Sequence, residues 1–132
     1  MNPLSNDQLL RRALFGNAVS SSLSGLVMLL FSQTLGSLIG IETSWFLPWI
    51  GGALLLFAVD LVHQATRPNL NRVRALGSSI GDFFWVLASI VLLLCCGSFF
   101  TPAGVWIISL IAIMVLVFGI LQIIGVQRLA VL

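Results

Sequence analysis

The sequence contains few charged residues and no lysine. Charged residues make up 8% of its 132 positions, whereas about a quarter is usual in a soluble domain. Without lysine the chain cannot form a retinal Schiff base. His63 is its single histidine, so one copy of the chain lacks the ligands for a bis-histidine haem or a His-rich metal site. We therefore expect neither a cofactor nor a metal.

The residue patterns of common enzymes are missing as well. Cys95 and Cys96 are neighbours, so they form no Cys-x-x-Cys pair, and a disulfide between them would be strained. No Ser-His-Asp order with a glycine elbow is present, and the serines at 20–22 have no base in the same predicted helix. No strand leads into a glycine-rich phosphate loop. These absences predict a protein that is not an enzyme.

Long apolar stretches dominate what is present. The chain is 59% hydrophobic, with a mean hydropathy of +1.14. About 20 apolar residues suffice for a helix to cross the hydrocarbon of a bilayer. The sequence predicts four such spans, at about 14–39, 47–66, 80–97 and 102–126. We therefore predict an all-α, integral membrane four-helix bundle, with residues 1–132 as one transmembrane domain and the first span retained rather than cleaved as a signal peptide.

The arginines predict the orientation of the bundle. All six lie before the first span, between the second and third, or after the fourth: Arg11, Arg12, Arg67, Arg72, Arg74 and Arg128. The other two connections contain no base and one acid, Glu42. Because short basic segments stay in the cytoplasm, both termini should be cytoplasmic. We expect a bacterial inner membrane, with a thylakoid membrane as the alternative. The partners would be membrane lipids rather than nucleic acid.

Several residues suit helix ends. Ser5 and Gln8 have the spacing of a capping box, which predicts a helix starting near Asn6. Ser44 is a candidate N-cap of the second span. Gly77, Ser78 and Ser79 should weaken any helix before Asp82, and Thr101 with Pro102 suits the start of the fourth span.

The sequence also shows signs of an internal repeat. A shift of 61 residues places Gly36 on Gly97, Trp45 on Trp106 and Arg67 on Arg128. Each unit would contain two spans, so both copies would point the same way. We predict two repeated helical hairpins related by an axis along the membrane normal.

Small residues recur at four-residue spacing, which places them on one helix face and permits close helix packing in lipid. The predicted packing residues are Gly16, Ser20 and Ser24, then Ser21 and Gly25 beside Asn17, and Gly51 and Gly52 in the second span. Such faces suit contacts within the bundle, a homo-oligomer or a larger membrane complex.

Each span carries a polar residue one to two turns below the arginine-bearing face: Asn17, Asp60, Asp82 and Gln122. His63 lies at i+3 from Asp60, on the same helix face. A carboxylate inside a membrane is costly, which makes it a hypothesis for a functional site. We expect these five side chains to form one cluster.

Structural ion pairing is the alternative interpretation of the two aspartates. They lie near the membrane margin, where such groups pair readily. The candidate partners are Arg12, Arg67 and Arg74. At least one aspartate–arginine contact is expected.

The chain resembles a widespread family of small, uncharacterised bacterial four-span membrane proteins. The residues that carry the resemblance are Leu10 to Leu14 with Asn17, Ala65 to Pro68, Asp82 with Trp85 and Ser89, and Gln122 with Gly125 and Arg128. The resemblance implies a bacterial inner membrane. It marks Asn17, Asp82, Trp85, Ser89 and Gln122 as positions of interest, and it brings no established activity.

We expect a non-enzymatic membrane protein that associates with itself, lipids or other membrane proteins. One alternative is an ion or small-solute transporter that uses Asp60 and Asp82. The outer halves of the spans are nearly bare of polar residues, which argues against it. Another alternative is a binder or enzyme for a lipid or quinone at the cytoplasmic end of the bundle.

Overall fold

The computed structural model describes residues 3–41 and 45–130. Its helices are α1 (Pro3–Leu30), α2 (Ser32–Ile39), α3 (Leu47–Thr66), α4 (Arg72–Cys96) and α5 (Pro102–Ala130), with a 3-10 turn at Gly97–Phe99. Four segments are long and apolar enough to cross a membrane, at Gln8–Leu30, Leu47–Thr66, Arg72–Phe99 and Pro102–Arg128. The prediction of an all-α four-helix membrane bundle is confirmed.

The first predicted span bends at Phe31, where α1 ends and the short α2 begins. Hydrogen bonds continue on both sides of the bend, from Phe31 N to Val27 O and from Leu35 N to Phe31 O. Beyond α2 the chain turns at Gly40, whose φ of 99° lies in the left-handed region that glycine adopts readily. The bend thus redirects the end of the first span, while the N–H and the carbonyl of Phe31 both keep helical hydrogen bonds.

The end of α2 joins the start of α5 through Thr101. The Thr101 hydroxyl lies 2.6 Å from Leu38 O, and its backbone N–H donates to Ile39 O at 2.9 Å. The Thr101 hydroxyl oxygen accepts from Gly104 N at 3.0 Å, as expected of an N-cap. Thr101 therefore caps α5, as predicted, and also binds the carbonyls at the end of α2.

Two other helix starts differ from the predictions. Helix α1 begins at Pro3 rather than near Asn6, and the predicted cap Ser44 lies outside the described residues. Helix α4 begins at Arg72, because the Asn71 side chain accepts from two backbone N–H groups of its first turn. Ser78 and Ser79 do not interrupt α4, since their hydroxyls donate to the carbonyls four residues earlier.

Helix α1 lies at the centre of the bundle. It packs most extensively against α3 and also against α5, and α4 packs on α5. Helices α3 and α4 have little contact, although they are consecutive in the chain. The two strongest pairings, α1 with α3 and α4 with α5, thus fall within the two predicted hairpins, and α1 and α5 hold the hairpins together.

Glycines set the closest approaches between helices. A Cβ added at Gly25 would lie 2.8 Å from Gly51 O, and one at Gly51 would lie 2.6 Å from Gly25 O. A Cβ added at Gly16 would lie 2.6 Å from Phe118 Cε1. Gly52 faces open space, so it makes no close contact with another helix in the described part of this chain. The turn of α3 that brings Gly51 onto α1 directs its neighbour away.

Buried side chains are concentrated toward the arginine-bearing end, where an apolar cluster contains Leu10, Leu14, Ala58, Leu61 and Val126. Many large apolar side chains elsewhere are exposed, including Leu56, Phe84 and Leu94. In a four-span bundle these outward side chains suit contact with lipid tails. The interior of the bundle is therefore small, and polar residues occupy part of it.

Candidate functional site

Asp82 receives hydrogen bonds from two other helices in the interior of the bundle. Asn17 Nδ2, from α1, donates to Asp82 Oδ2 at 2.8 Å. Gln122 Nε2, from α5, donates to the same oxygen at 3.1 Å. The three residues are 3% exposed or less. This triad of Asn17, Asp82 and Gln122 joins α1, α4 and α5.

Two serines orient the amides of the triad. The Ser21 hydroxyl, one turn above Asn17, lies 3.3 Å from Asn17 Oδ1. The Ser79 hydroxyl lies 3.4 Å from Gln122 Oε1 and 3.2 Å from Ala75 O. A hydroxyl has one hydrogen, so the two Ser79 bonds are alternatives. A serine at each amide oxygen favours the orientation in which the NH₂ group faces Asp82.

The second carboxylate oxygen of Asp82 is in a different environment. Both hydrogen bonds of the triad end on Oδ2. Within the described part of the chain, Oδ1 accepts no hydrogen bond, and Asp82 forms no ion pair. Asp82 lines a cavity between the helices. Oδ2 is thus bound by the protein, and the residue that carries the free oxygen forms part of the cavity wall.

A second polar group links α3 to α4 nearer the arginine-bearing end. Arg74 forms an ion pair with Asp60 and lies 3.2 Å from His63 Nδ1. Gln64 Nε2 donates to Asp60 Oδ2 at 2.7 Å and to the Ser78 hydroxyl oxygen at 2.9 Å. The side chains of Arg74 and Asp60 are 31% and 45% exposed. A pair this exposed is a weak link, worth about 0–1 kcal/mol.

The five residues predicted to cluster are therefore divided between two groups. Asn17, Asp82 and Gln122 converge, whereas Asp60 and His63 belong to the group around Arg74. The prediction of one cluster is wrong, because Asp60 points toward the first turn of α4 and Asp82 points toward α1 and α5. The expected aspartate–arginine contact exists, between Asp60 and Arg74.

The other predicted arginine partners lie elsewhere. Neither Arg12 nor Arg67 contacts Asp60 or Asp82 in the described residues. Arg11, which was not among the predicted partners of the aspartates, donates to the carbonyls of Ala65, Arg67 and Pro68 at 2.6–2.9 Å. The sequence contained a signal for this contact. Pro68 ends α3, and the last carbonyls of a helix need hydrogen-bond donors from elsewhere.

A lateral groove lies between α3 and α4, with α1 and α5 as its floor. It consists of two neighbouring cavities, of about 310 and 370 Å³. Ile50, Trp85 and Ile111 line both cavities, so the two lie side by side along the groove. The lower cavity is the one nearer the arginines, and the upper cavity is the other. The lower cavity is lined by residues that include Ser20, Ser21, Ser24, Phe57, Gly81 and Asp82. The groove exists because α3 and α4 hardly touch beyond their polar contacts.

The groove changes the interpretation of one small-residue stripe. Ser20 and Ser24 were predicted to pack against another helix, and instead they line the cavity beside Asp82. Only Gly16 of that stripe packs closely, against Phe118. Trp85 and Ser89, marked by the family resemblance, also line the groove.

The groove is chemically simple. Its upper cavity is lined by apolar side chains and Ser89, whose hydroxyl donates to Trp85 O at 2.9 Å. Its lower cavity adds serine hydroxyls and the Asp82 carboxylate. In residues 3–41 and 45–130 no three metal-ligating side chains lie close enough to hold an ion. An apolar molecule with one polar end is the ligand shape that this lining suits.

Comparison with known proteins adds no assignment. No protein-family model matches the chain, and no curated protein or solved structure matches it. The resemblance to small bacterial four-span proteins therefore stays a prediction.

Proposed function

We propose that this multi-pass membrane protein binds a lipophilic molecule in the groove between α3 and α4 and has no catalytic activity of its own. The observation that carries the proposal is the groove, an apolar cleft with a buried carboxylate at one end. Small-molecule sites are typically apolar clefts of about 300–1,000 Å³ with a few polar groups. Each of the two cavities reaches the lower end of that range.

The ligand would enter from the bilayer. Helices α3 and α4 are joined near the arginines by Arg74, Asp60 and Gln64, and they diverge beyond that point. A molecule dissolved among lipid tails could therefore move sideways into the groove without crossing a polar layer. Its apolar part would replace lipid contacts along Trp85 and Leu92.

Transport of an ion through one chain is less consistent with this geometry. Asp60 is already paired with Arg74 and does not reach the triad. The upper cavity offers one hydroxyl, Ser89, and that hydroxyl is bonded to its own helix. Ions in a membrane require a succession of polar groups or water along the pathway. The lining instead supports binding of an apolar molecule.

A pair of glycine substitutions on α4 tests the proposal. Gly81 lines the groove, and the nearest atom to an added Cβ is Phe57 Cε2 at 4.0 Å, so Gly81→Leu should fill the cavity without a backbone clash. Gly77 lies one turn earlier, where an added Cβ meets nothing within 4 Å. Gly77→Leu therefore makes the same chemical change outside the groove.

Native mass spectrometry of the protein, extracted from its membrane in mild detergent, provides the measurement. The wild type and Gly77→Leu should carry a bound lipophilic molecule, and Gly81→Leu should have lost most of it. Equal occupancy in all three proteins, or an empty wild type, would contradict the proposal.

A further inference from the structure

We infer that the groove selects a lipophilic molecule with a positively charged, hydrogen-bond-donating head group, which binds Asp82 Oδ1. The inference rests on the proposed function and names its ligand class. A long-chain primary amine, protonated at neutral pH, is the simplest example. Its ammonium group would lie against Asp82, and its chain would extend past Trp85 into the upper cavity.

The first support is that no cation among the described residues contacts Asp82. Its hydrogen bonds come from the neutral amides of Asn17 and Gln122. Arg74 is paired with Asp60, and Arg11 binds the carbonyls at the end of α3. A buried carboxylate without a counter-ion is strongly unfavourable in a medium of low dielectric constant. A cationic ligand would supply the missing charge.

The contrast between the two aspartates strengthens this argument. Asp60 is 45% exposed at its side chain and still has an arginine partner. Asp82 is 3% exposed and has none within the described residues. The more deeply buried acid is thus the one that lacks a cation, and it is the acid that lines the groove.

The oxygen of Asp82 that the described residues leave without a donor is the second support. The serine–amide contacts favour two NH₂ donors on Oδ2, which leaves Oδ1 as an acceptor for a group in the groove. An ammonium group has three donors. One can bind Oδ1, and the hydroxyl oxygens of Ser20 and Ser24, which line the same cavity, are further acceptors. A carboxylate head would instead meet Asp82 with like charge.

The test compares three probes that share a twelve-carbon chain: dodecylamine, dodecanol and dodecanoate. Each is titrated at neutral pH into protein in phosphatidylcholine vesicles, whose neutral surface favours neither charge. Binding is followed by fluorescence of Trp85 after the other three tryptophans are changed to phenylalanine. Those three, Trp45, Trp49 and Trp106, are exposed, so their replacement should leave the groove unchanged.

Dodecylamine should bind at least about tenfold more tightly than dodecanol, because hydrogen bonds to charged groups are the stronger class. The affinity for dodecylamine should exceed that for dodecanoate by a larger factor, because the carboxylate head group is repelled by Asp82. Asp82→Asn keeps the shape of the side chain. It should lower the affinity for dodecylamine to about the affinity for dodecanol. Asp60→Asn, at the paired acid, is the matched control and should leave the preference in place.

The outcomes separate the two proposals. Similar binding of all three probes by the wild type would overturn the charge preference and leave the groove as a general lipophile site. A preference for the amine that persists in Asp82→Asn would also overturn the inference. If none of the probes changes the Trp85 signal, the proposed function itself fails. The wild-type series is decisive even if Asp82→Asn does not fold.

Discussion

Replacing Gly51 by alanine should force α1 and α3 apart, whereas the same change at the neighbouring Gly52 should not. A Cβ at Gly51 would lie 2.6 Å from Gly25 O and 2.9 Å from Leu29 N. Both atoms belong to the backbone of α1 and cannot move aside by rotating a side chain. A Cβ at Gly52 meets nothing within 4 Å.

The expected difference follows from these two environments. Overpacking an interior typically destabilises a protein by about 1–3 kcal/mol. Each substitution also replaces glycine with a better helix former, which stabilises the helix by about 1 kcal/mol. That gain is common to both variants and cancels when they are compared. Gly51→Ala should therefore be about 1–3 kcal/mol less stable than Gly52→Ala.

Unfolding of both purified variants in the same mixed detergent, followed by circular dichroism, measures this difference. Gly25→Ala should behave like Gly51→Ala, because its added Cβ would lie 2.8 Å from Gly51 O. Equal midpoints for Gly51→Ala and Gly52→Ala would show that α1 and α3 do not cross at these glycines. The arrangement of the bundle described above would then be wrong.

Three further predictions address topology and the helix contacts. In a protein whose two native cysteines are replaced by serine, a cysteine at Asn69 should be labelled only from the cytoplasm and one at Ser98 only from outside; the reverse pattern would refute the orientation. Thr101→Val should lower the free energy of unfolding by about 0.5–2 kcal/mol, since an N-cap bond and a contact with α2 are lost; unchanged unfolding in detergent would contradict that role. Arg74→Gln should lower the same quantity by about 1 kcal/mol or less, because its pair with Asp60 is partly exposed; a loss several times larger would show that the ion pair holds α3 and α4 together.

The secondary structure followed from local signals in the sequence. Apolar length predicted four spans, and Thr101 with Pro102 predicted the start of α5. The bend at Phe31 was not predicted, because the residues around it are compatible with a continuous helix. The early start of α4 was missed because serine was treated as a helix breaker, whereas Ser78 and Ser79 bond to their own helix.

The candidate site depended on information that one sequence does not contain. The distance of each polar residue from the nearest arginine could be counted along the sequence. It placed Asp60 and Asp82 at similar depths in the membrane. The direction in which each aspartate points depends on how the helices rotate against one another, and this divided the expected cluster in two. The groove was not predicted at all, since it arises from weak contact between α3 and α4, which are consecutive in the chain.

The pairing of helices has a consequence for how the protein is made. Helix α1 finds its largest partner, α3, as soon as the second span has been synthesised, and α4 finds α5 in the same way later. Each half can thus associate while the ribosome is still translating, with no need to wait for a distant segment. The contacts of α1 and α2 with α5 require the finished chain. Biogenesis should accordingly proceed as two hairpins that insert in turn and then join.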